Sequence, residues 1–307
     1  MKKRIQISSM LIALAAMLLA SCAPAGKQEA KGDYVIGVVT KSRNSEYWMS
    51  VCAGMEEAAD ALGAKVVILS PDTETDKDIQ KKMIRDLIKM DVDALAVSPI
   101  DSYDNRDYVQ TASEKGIPVF SYDTPIEDMA VPYIGIDNKM VGYELAKVLA
   151  EKMGHQGNVA VIAGSQEQAS HKQRVLGFTD YMETEPDIRI EVVRSGYSNL
   201  RVSEQEMEEI LAEYPDLDGI MTTSAVTALG ITEATKGTGI VIATVDAQED
   251  ALRAVEDGRI AVLGAQSGSD IGYEAVSYIM REKDGKEQDM QDILDVKILT
   301  RKNVKEY

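Results

Sequence analysis

Residue types capable of chemistry recur in this chain directly after short apolar runs. Asp123-Thr124 follows Ile117-Pro118-Val119-Phe120, Asp246 follows Val241 to Val245, and Ser98, Asp137-Asn138, Ser224 and Gln266 stand in similar places. Thr40 to Trp48, after Tyr34 to Val39, contributes Asn44, Tyr47 and Trp48, and Ser165 to Arg174 contributes cations. Carboxylates accept charge-assisted hydrogen bonds, amides and cations donate them, and aromatic faces pack against C–H surface. Asp123, Asp246, Asn44, Gln266, Arg174, Tyr47, Trp48 and Tyr197 form such a set, which suits the hydroxyls and weakly apolar ring of a sugar. On spacing alone the roles stay open. An aspartate at a strand end caps the next helix as readily as it binds a ligand. Tyr47 and Trp48 fit either a core or a cleft wall, and Arg174 either a ligand or a salt bridge that ties down its loop.

Bond-making chemistry finds no foothold. There is no G-x-S-x-G elbow, Walker A loop, H-E-x-x-H, or G-x-G-x-x-G after a strand. His155 follows a helix stop and His171 reads as a solvated loop residue, which leaves little for a triad or a metal. Asp72-Thr73-Glu74-Thr75-Asp76 opens like a calcium loop, but Lys77 stands where the turn glycine belongs and Met83 where the closing glutamate belongs. Asp72 and Asp76 are therefore read as loop residues, and no enzyme, metal or cofactor is expected. The 15 methionines read as core filler. With 33 Lys+Arg against 51 Asp+Glu the formal charge is −18, the wrong sign for a nucleic-acid binder.

The elements that must position these residues alternate regularly. Tyr34 to Val39 reads as a strand buried on both faces. Val51, Met55, Ala58 and Leu62 follow at helical spacing, and Gly63 stops them. Strands are expected at Val66 to Leu69, Ala94 to Val97, Ile117 to Phe120 and Tyr133 to Ile136, with helices around Ile79 to Ile88 and Tyr108 to Glu114 between them. After Asp137 the scheme restarts with a helix from Lys139 to Met153. Strands follow at Val159 to Ile162, Glu191 to Val193, Gly219 to Thr222 and Val241 to Val245, with helices at Gln173 to Met182, Val202 to Tyr214 and Ala225 to Ala234. Two such arrays require two α/β lobes with mostly parallel sheets, whose ligands bind beyond the carboxyl ends of the strands. Cys52, between Val51 and Ala53 on the first helix, reads as a packed rather than a reactive thiol.

The first residues have a different character. Lys2, Lys3 and Arg4 precede an apolar run from Met10 to Ala20 that is too short to span a bilayer, the pattern of a secretory signal. Leu19-Ala20-Ser21-Cys22 looks like the lipobox of bacterial lipoproteins, which implies lipidation at Cys22; Ala23 to Lys31 reads as a flexible tether. Loss of residues 1–21 removes three cations and no acid, so −18 becomes −21.

From 33 to 300 the chain resembles the periplasmic-binding-protein type 1 receptors of the ribose-binding, LacI-like group, the binding components of sugar ABC transporters. The resemblance rests on Thr40 to Trp48, Ser121-Tyr122-Asp123-Thr124-Pro125, Ile136-Asp137-Asn138 with Gly142, and Gln173-Arg174-Val175-Leu176-Gly177-Phe178. It continues in Ala228-Leu229-Gly230, Val245-Asp246, and Ala265-Gln266 with Ile271-Gly272. It implies two doubly wound parallel-sheet lobes joined by a three-crossover hinge near Asp137, Gln266 and Asp295. The expected division is a signal peptide at 1–21, a tether at 22–32, a first lobe of 33–136 plus 266–294, and a second of 137–265 plus 295–307. It further implies amide ligands at Asn44 and Gln266, hydroxyl acceptors at Asp123 and Asp246, and ring-stacking aromatics at Tyr47, Trp48 and Tyr197. Lys172 aligns with the arginine that reaches ribose, two residues before Arg174. Where the ribose pattern has Asp-Arg and Asn-Asp, this chain has Asp123-Thr124 and Ser224-Ala225, which argues against plain ribose. The implied protein is an exported, lipid-anchored monomer outside the cell membrane or in a periplasm. It would close on a sugar or polyol and serve an ABC permease or, alternatively, a membrane sensor kinase.

Overall fold

The computed structural model describes residues 33–307, so the signal, lipobox and tether expectations lie outside the described residues. Two six-stranded sheets form the framework. The first has β2 (Ala64–Leu69), β1 (Tyr34–Val39), β3 (Ala94–Val97), β4 (Val119–Tyr122), β5 (Tyr133–Gly135) and β11 (Gln291–Ile293) side by side in the order β11-β5-β4-β3-β1-β2, all parallel. The second repeats that arrangement with β6 (Gly157–Ala163), β7 (Ile188–Ser195), β8 (Leu217–Thr222), β9 (Val241–Val245) and β10 (Val262–Ala265). Only its edge strand β12 (Lys297–Leu299) runs antiparallel. The expectation of two parallel α/β lobes holds. The chain passes between the sheets three times, after β5, after β10, and between β11 and β12.

Central strands in a parallel sheet are covered on both faces, so they are buried and mostly apolar along their length. Ala94–Val97 and Val119–Tyr122 are buried at every position for this reason. The covering helices carry apolar stripes instead. In α1 (Glu46–Leu62) Val51, Met55 and Ala58 form the buried face, while Cys52 beside them is half-buried. Burial pushes the Cys52 thiol up to about 11, so the packed, unreactive reading stands. The remaining helices are α2 (Lys77–Lys89), α3 (Arg106–Glu114), α4 (Asn138–Met153), α5 (Ala169–Met182), α6 (Leu200–Glu213), α7 (Ala225–Ile231), α8 (Glu249–Asp257) and α9 (Gly268–Lys283). No helix of the described residues is long and apolar enough to cross a membrane.

Each lobe contains a very close helix pair that glycine makes possible. A Cβ at Gly54 of α1 would strike the carbonyl oxygen of Ser269 on α9, and one at Gly272 that of Val51. In the other lobe a Cβ at Gly142 of α4 would strike the Arg174 carbonyl on α5, and one at Gly177 that of Lys139. This second contact draws α5 toward the start of α4, which brings the Arg174 guanidinium to Asn138.

Several boundaries differ from the spacing. β4 starts two residues later than expected, after Pro118, and β7 is eight residues long rather than three. α5 starts at Ala169 rather than Gln173, which puts His171 on a helix.

Candidate functional site

The carboxyl ends of both sheets face a cavity whose lining comes from the two lobes together. Asp123 directly follows β4 in the first lobe and Asp246 directly follows β9 in the second. Both have left-handed backbones, with φ of 60° and 81°. A non-glycine residue held there carries strain on the order of 1 kcal/mol, and such strain concentrates at binding sites. It turns each carboxylate off its strand and into the interior, where 4% and 6% of the residue surface remains accessible.

Asp123 is the better satisfied of the two. Its Oδ1 accepts from Ser98 (3.2 Å) and Thr124 (2.9 Å) and pairs with Lys41 Nζ at 3.1 Å. Its Oδ2 accepts from Tyr47 Oη at 2.7 Å and Gln266 Nε2 at 3.0 Å. Burial alone would raise this carboxyl, but Lys41, Arg174 and the Tyr47 hydrogen bond outweigh it and hold the group well below the usual range. Asp246 has only the Ala225 N–H at 3.4 Å and Arg174 Nη1 at 3.9 Å. Burial therefore dominates, Arg174 offsets it in part, Asp123 adds repulsion, and the carboxyl is pushed up to about 6.

Arg174 links the second lobe to a crossover. Nε donates to Asn138 Oδ1 (2.8 Å), Nη1 to the Thr223 carbonyl (2.7 Å) and Nη2 to Gln266 Oε1 (2.7 Å). A guanidinium has five N–H groups, so two remain, one on each terminal nitrogen. Gln266, on the crossover after β10, also donates to Tyr47. Arg174 thus lines the cavity and braces its surroundings.

The first-lobe wall holds charged groups that the sequence analysis passed over. Glu74, in the loop after β2 that resembled a calcium loop, accepts from Trp48 Nε1 at 2.9 Å and Gln168 Nε2 at 3.3 Å. Burial would raise it, but Lys41, His171 and Trp48 bring it down to about 2. Asp76 anchors that loop by accepting from the Thr73 N–H and hydroxyl, both at 2.9 Å. Lys41 is buried too. It donates to Thr124 Oγ1 (2.8 Å) and Gln168 Oε1 (2.7 Å), and its ammonium lies 5.2 Å from the centre of the Trp48 ring. Gln168 belongs to the second lobe, so this network spans the cleft, as does the 2.8 Å contact between Thr124 and Ser170 hydroxyls.

His171 is a correction to the solvated-loop reading. It is buried on α5, with Nδ1 2.7 Å from Thr223 Oγ1 and Nε2 3.9 Å from Glu74. Burial lowers its pKa, Lys41 and Arg174 add to that, and Glu74 opposes them.

Of the residues expected at the site, Tyr47, Trp48, Asp123, Arg174, Ser224 and Asp246 line the cavity, and Gln266 joins three of them from behind. Trp48 presents only part of its ring: it is 2% exposed and packs edge-on against Tyr47 and Tyr122. Ser224 also caps α7. Three others lie elsewhere. Lys172 is exposed over the Tyr103 ring, because on α5 it projects away from the face of Ser170, His171 and Arg174. Asn44 is exposed and donates to the Asp72 carbonyl at 3.3 Å. Tyr197, 46% exposed, lines a neighbouring groove with Asn44. Both sit on loops whose course spacing could not give.

Known proteins share this fold. The chain is 28% identical over 284 residues to the ribose import binding protein RbsB of Bacillus subtilis (strain 168), covering 89% of this chain and 90% of that one. A solved ABC transporter solute binding protein from Agrobacterium vitis with bound D-fucose is 26% identical, with a TM-score of 0.84 over 88% of this chain and 96% of its own. A chain of a XylFII–LytSN complex is 26% identical, with a TM-score of 0.81 over 88% and 98%. Two parallel lobes, a shared cavity at their strand ends and a match to the family model over residues 36–287 agree: the chain belongs to the periplasmic binding protein domain family.

Proposed function

We propose that this chain captures a neutral sugar or polyol between its lobes and hands it unchanged to an ABC permease. The observation that carries the reading is the under-partnered Asp246 carboxylate, buried in a two-lobe cavity beside a guanidinium with N–H groups to spare. Ligand hydroxyls donate to Asp246 and accept from Arg174, while Tyr47 and Trp48 border the ring's C–H surface. Asp123, already accepting from neighbours at both oxygens, acts chiefly by fixing Tyr47, Gln266 and Lys41. The ligand touches both lobes, so it favours the closed arrangement by its differential affinity for the two states. The names of the RbsB relative and the D-fucose complex support the ligand class.

Cys22 anchors the chain by lipid at the outer face of the membrane, and Cys22→Ser is expected to release it from the membrane fraction. A thermal-shift screen with D-ribose, D-allose, D-arabinose, D-fucose and xylitol tests the ligand class. A ligand at 100 times its Kd stabilises by about 2.7 kcal/mol, and no shift with any of the five contradicts the reading. The second reading, delivery of the closed form to a sensor kinase, is supported by the similar chain found in a XylFII–LytSN complex. Pull-down with the chain's own permease distinguishes the two.

A further inference from the structure

Among the described residues, one buried side-chain nitrogen or oxygen has no hydrogen-bond partner: Nε2 of Gln248. Buried polar groups are paired in folded proteins, and an amide left unpaired is costly. Gln248 is 5% exposed and lines the same cavity as Asp246, two residues before it on the loop that leaves β9. It occupies the N-cap position of α8 but makes no capping hydrogen bond there. The side chain therefore serves neither its helix nor a neighbour, and it borders the space assigned to the ligand.

We infer that Gln248 is a ligand-binding residue whose amide donates a hydrogen bond to an oxygen of the bound sugar, on the wall where Asp246 accepts one. The inference rests on the sugar-binding reading and sharpens it. An acceptor and a donor side by side complement a hydroxyl, which gives a proton to Asp246 and takes one from Gln248, or a vicinal pair of hydroxyls that divide the two tasks. An ammonium group at that position has no lone pair for Gln248, and a deoxy carbon satisfies neither residue. This wall therefore selects a hydroxylated, uncharged edge of the ligand over its amino and deoxy counterparts.

The test is calorimetric titration of D-ribose, D-allose, D-arabinose, D-fucose and xylitol into the wild-type chain, Gln248→Met and Gln248→Glu, with the melting temperature of each ligand-free protein recorded. Methionine keeps the length of the stem and removes the amide; glutamate replaces the donor with a second acceptor beside Asp246. For the tightest of the five, Kd is expected to rise about tenfold in Gln248→Met and further in Gln248→Glu. Ligand-free Gln248→Met should melt at or above the wild-type temperature, since it removes an unpaired buried group. A Kd within twofold of wild type in both variants overturns the assignment while leaving the sugar-binding reading intact. A ligand-free melting temperature that falls in step with affinity makes Gln248 structural and also overturns it. If none of the five binds the wild type, the underlying reading fails and the assignment fails with it.

Discussion

Replacing Arg174 by methionine should damage both stability and binding, and the structure gives the scale. The substitution keeps an unbranched apolar stem but removes three hydrogen bonds, leaving Asn138 Oδ1, the Thr223 carbonyl and Gln266 Oε1 without this donor in the interior. It also takes away the cation nearest Asp246, at 3.9 Å. Removing one partner of a buried charged network costs about 3–5 kcal/mol, and at 150–250 residues each kcal/mol lowers Tm by roughly 2–4 °C. A fall on the order of 10 °C is expected by calorimetry. Part of the cost is the stranded carboxylate. Asp246→Asn should therefore stabilise the Arg174→Met background by about 1–3 kcal/mol more than it stabilises the wild-type chain, the interaction energy typical of residues sharing one network. A single variant that melts within 1 °C of wild type, or a double variant whose loss equals the sum of the two singles, would refute this account of Arg174.

Three further outcomes follow from the same geometry. Because burial lifts Asp246 to about 6, above the unfolded value near 3.9, the folded state holds that proton more tightly; stability from this group is greatest below about pH 4 and is lost as pH rises through 6. Asp246→Asn should therefore gain roughly 1–3 kcal/mol over wild type at pH 7.5 and much less at pH 4.5 in urea unfolding, and equal differences at both pH values contradict the assignment. Gly177→Ala should destabilise by more than about 1–3 kcal/mol, since its methyl meets the Lys139 carbonyl and forces α5 off α4; a wild-type Tm shows that the helices yield. Trp48, the chain's single tryptophan, is 2% exposed and hydrogen-bonded to Glu74, so ligand should alter its emission with little change in quencher access. Emission identical with and without a calorimetrically confirmed sugar places the ring outside the ligand's reach.

The lobes were legible because parallel strands buried on both faces leave continuous apolar runs, as in Ala94–Val97 and Val241–Val245. Asp123 and Asp246 were legible for a related reason: the residue after such a run stands at the carboxyl end of a sheet. The charged wall was not. A buried Lys41 makes sense only with Asp123, Thr124 and Gln168 around it, residues 82 to 127 positions away, and no local pattern marks that meeting. Glu74 is hidden among the other acids of a loop that opens like a calcium motif but lacks its turn glycine and closing glutamate. His171 was misplaced because α5 starts four residues earlier than its periodicity suggested. The last elements, α8 to β12, include strands of three or four residues, too short to show a period.

The central claim is that a neutral sugar or polyol is held at the Asp246 wall of the two-lobe cavity. Calorimetric titration of D-ribose, D-allose, D-arabinose, D-fucose and xylitol into the soluble chain and its Asp246→Ala variant tests it most directly. The account predicts one site per chain for at least one ligand, weakened in the variant by about 2–5 kcal/mol, roughly 30-fold or more. No binding by any of the five, or binding of equal strength to both proteins, would contradict it.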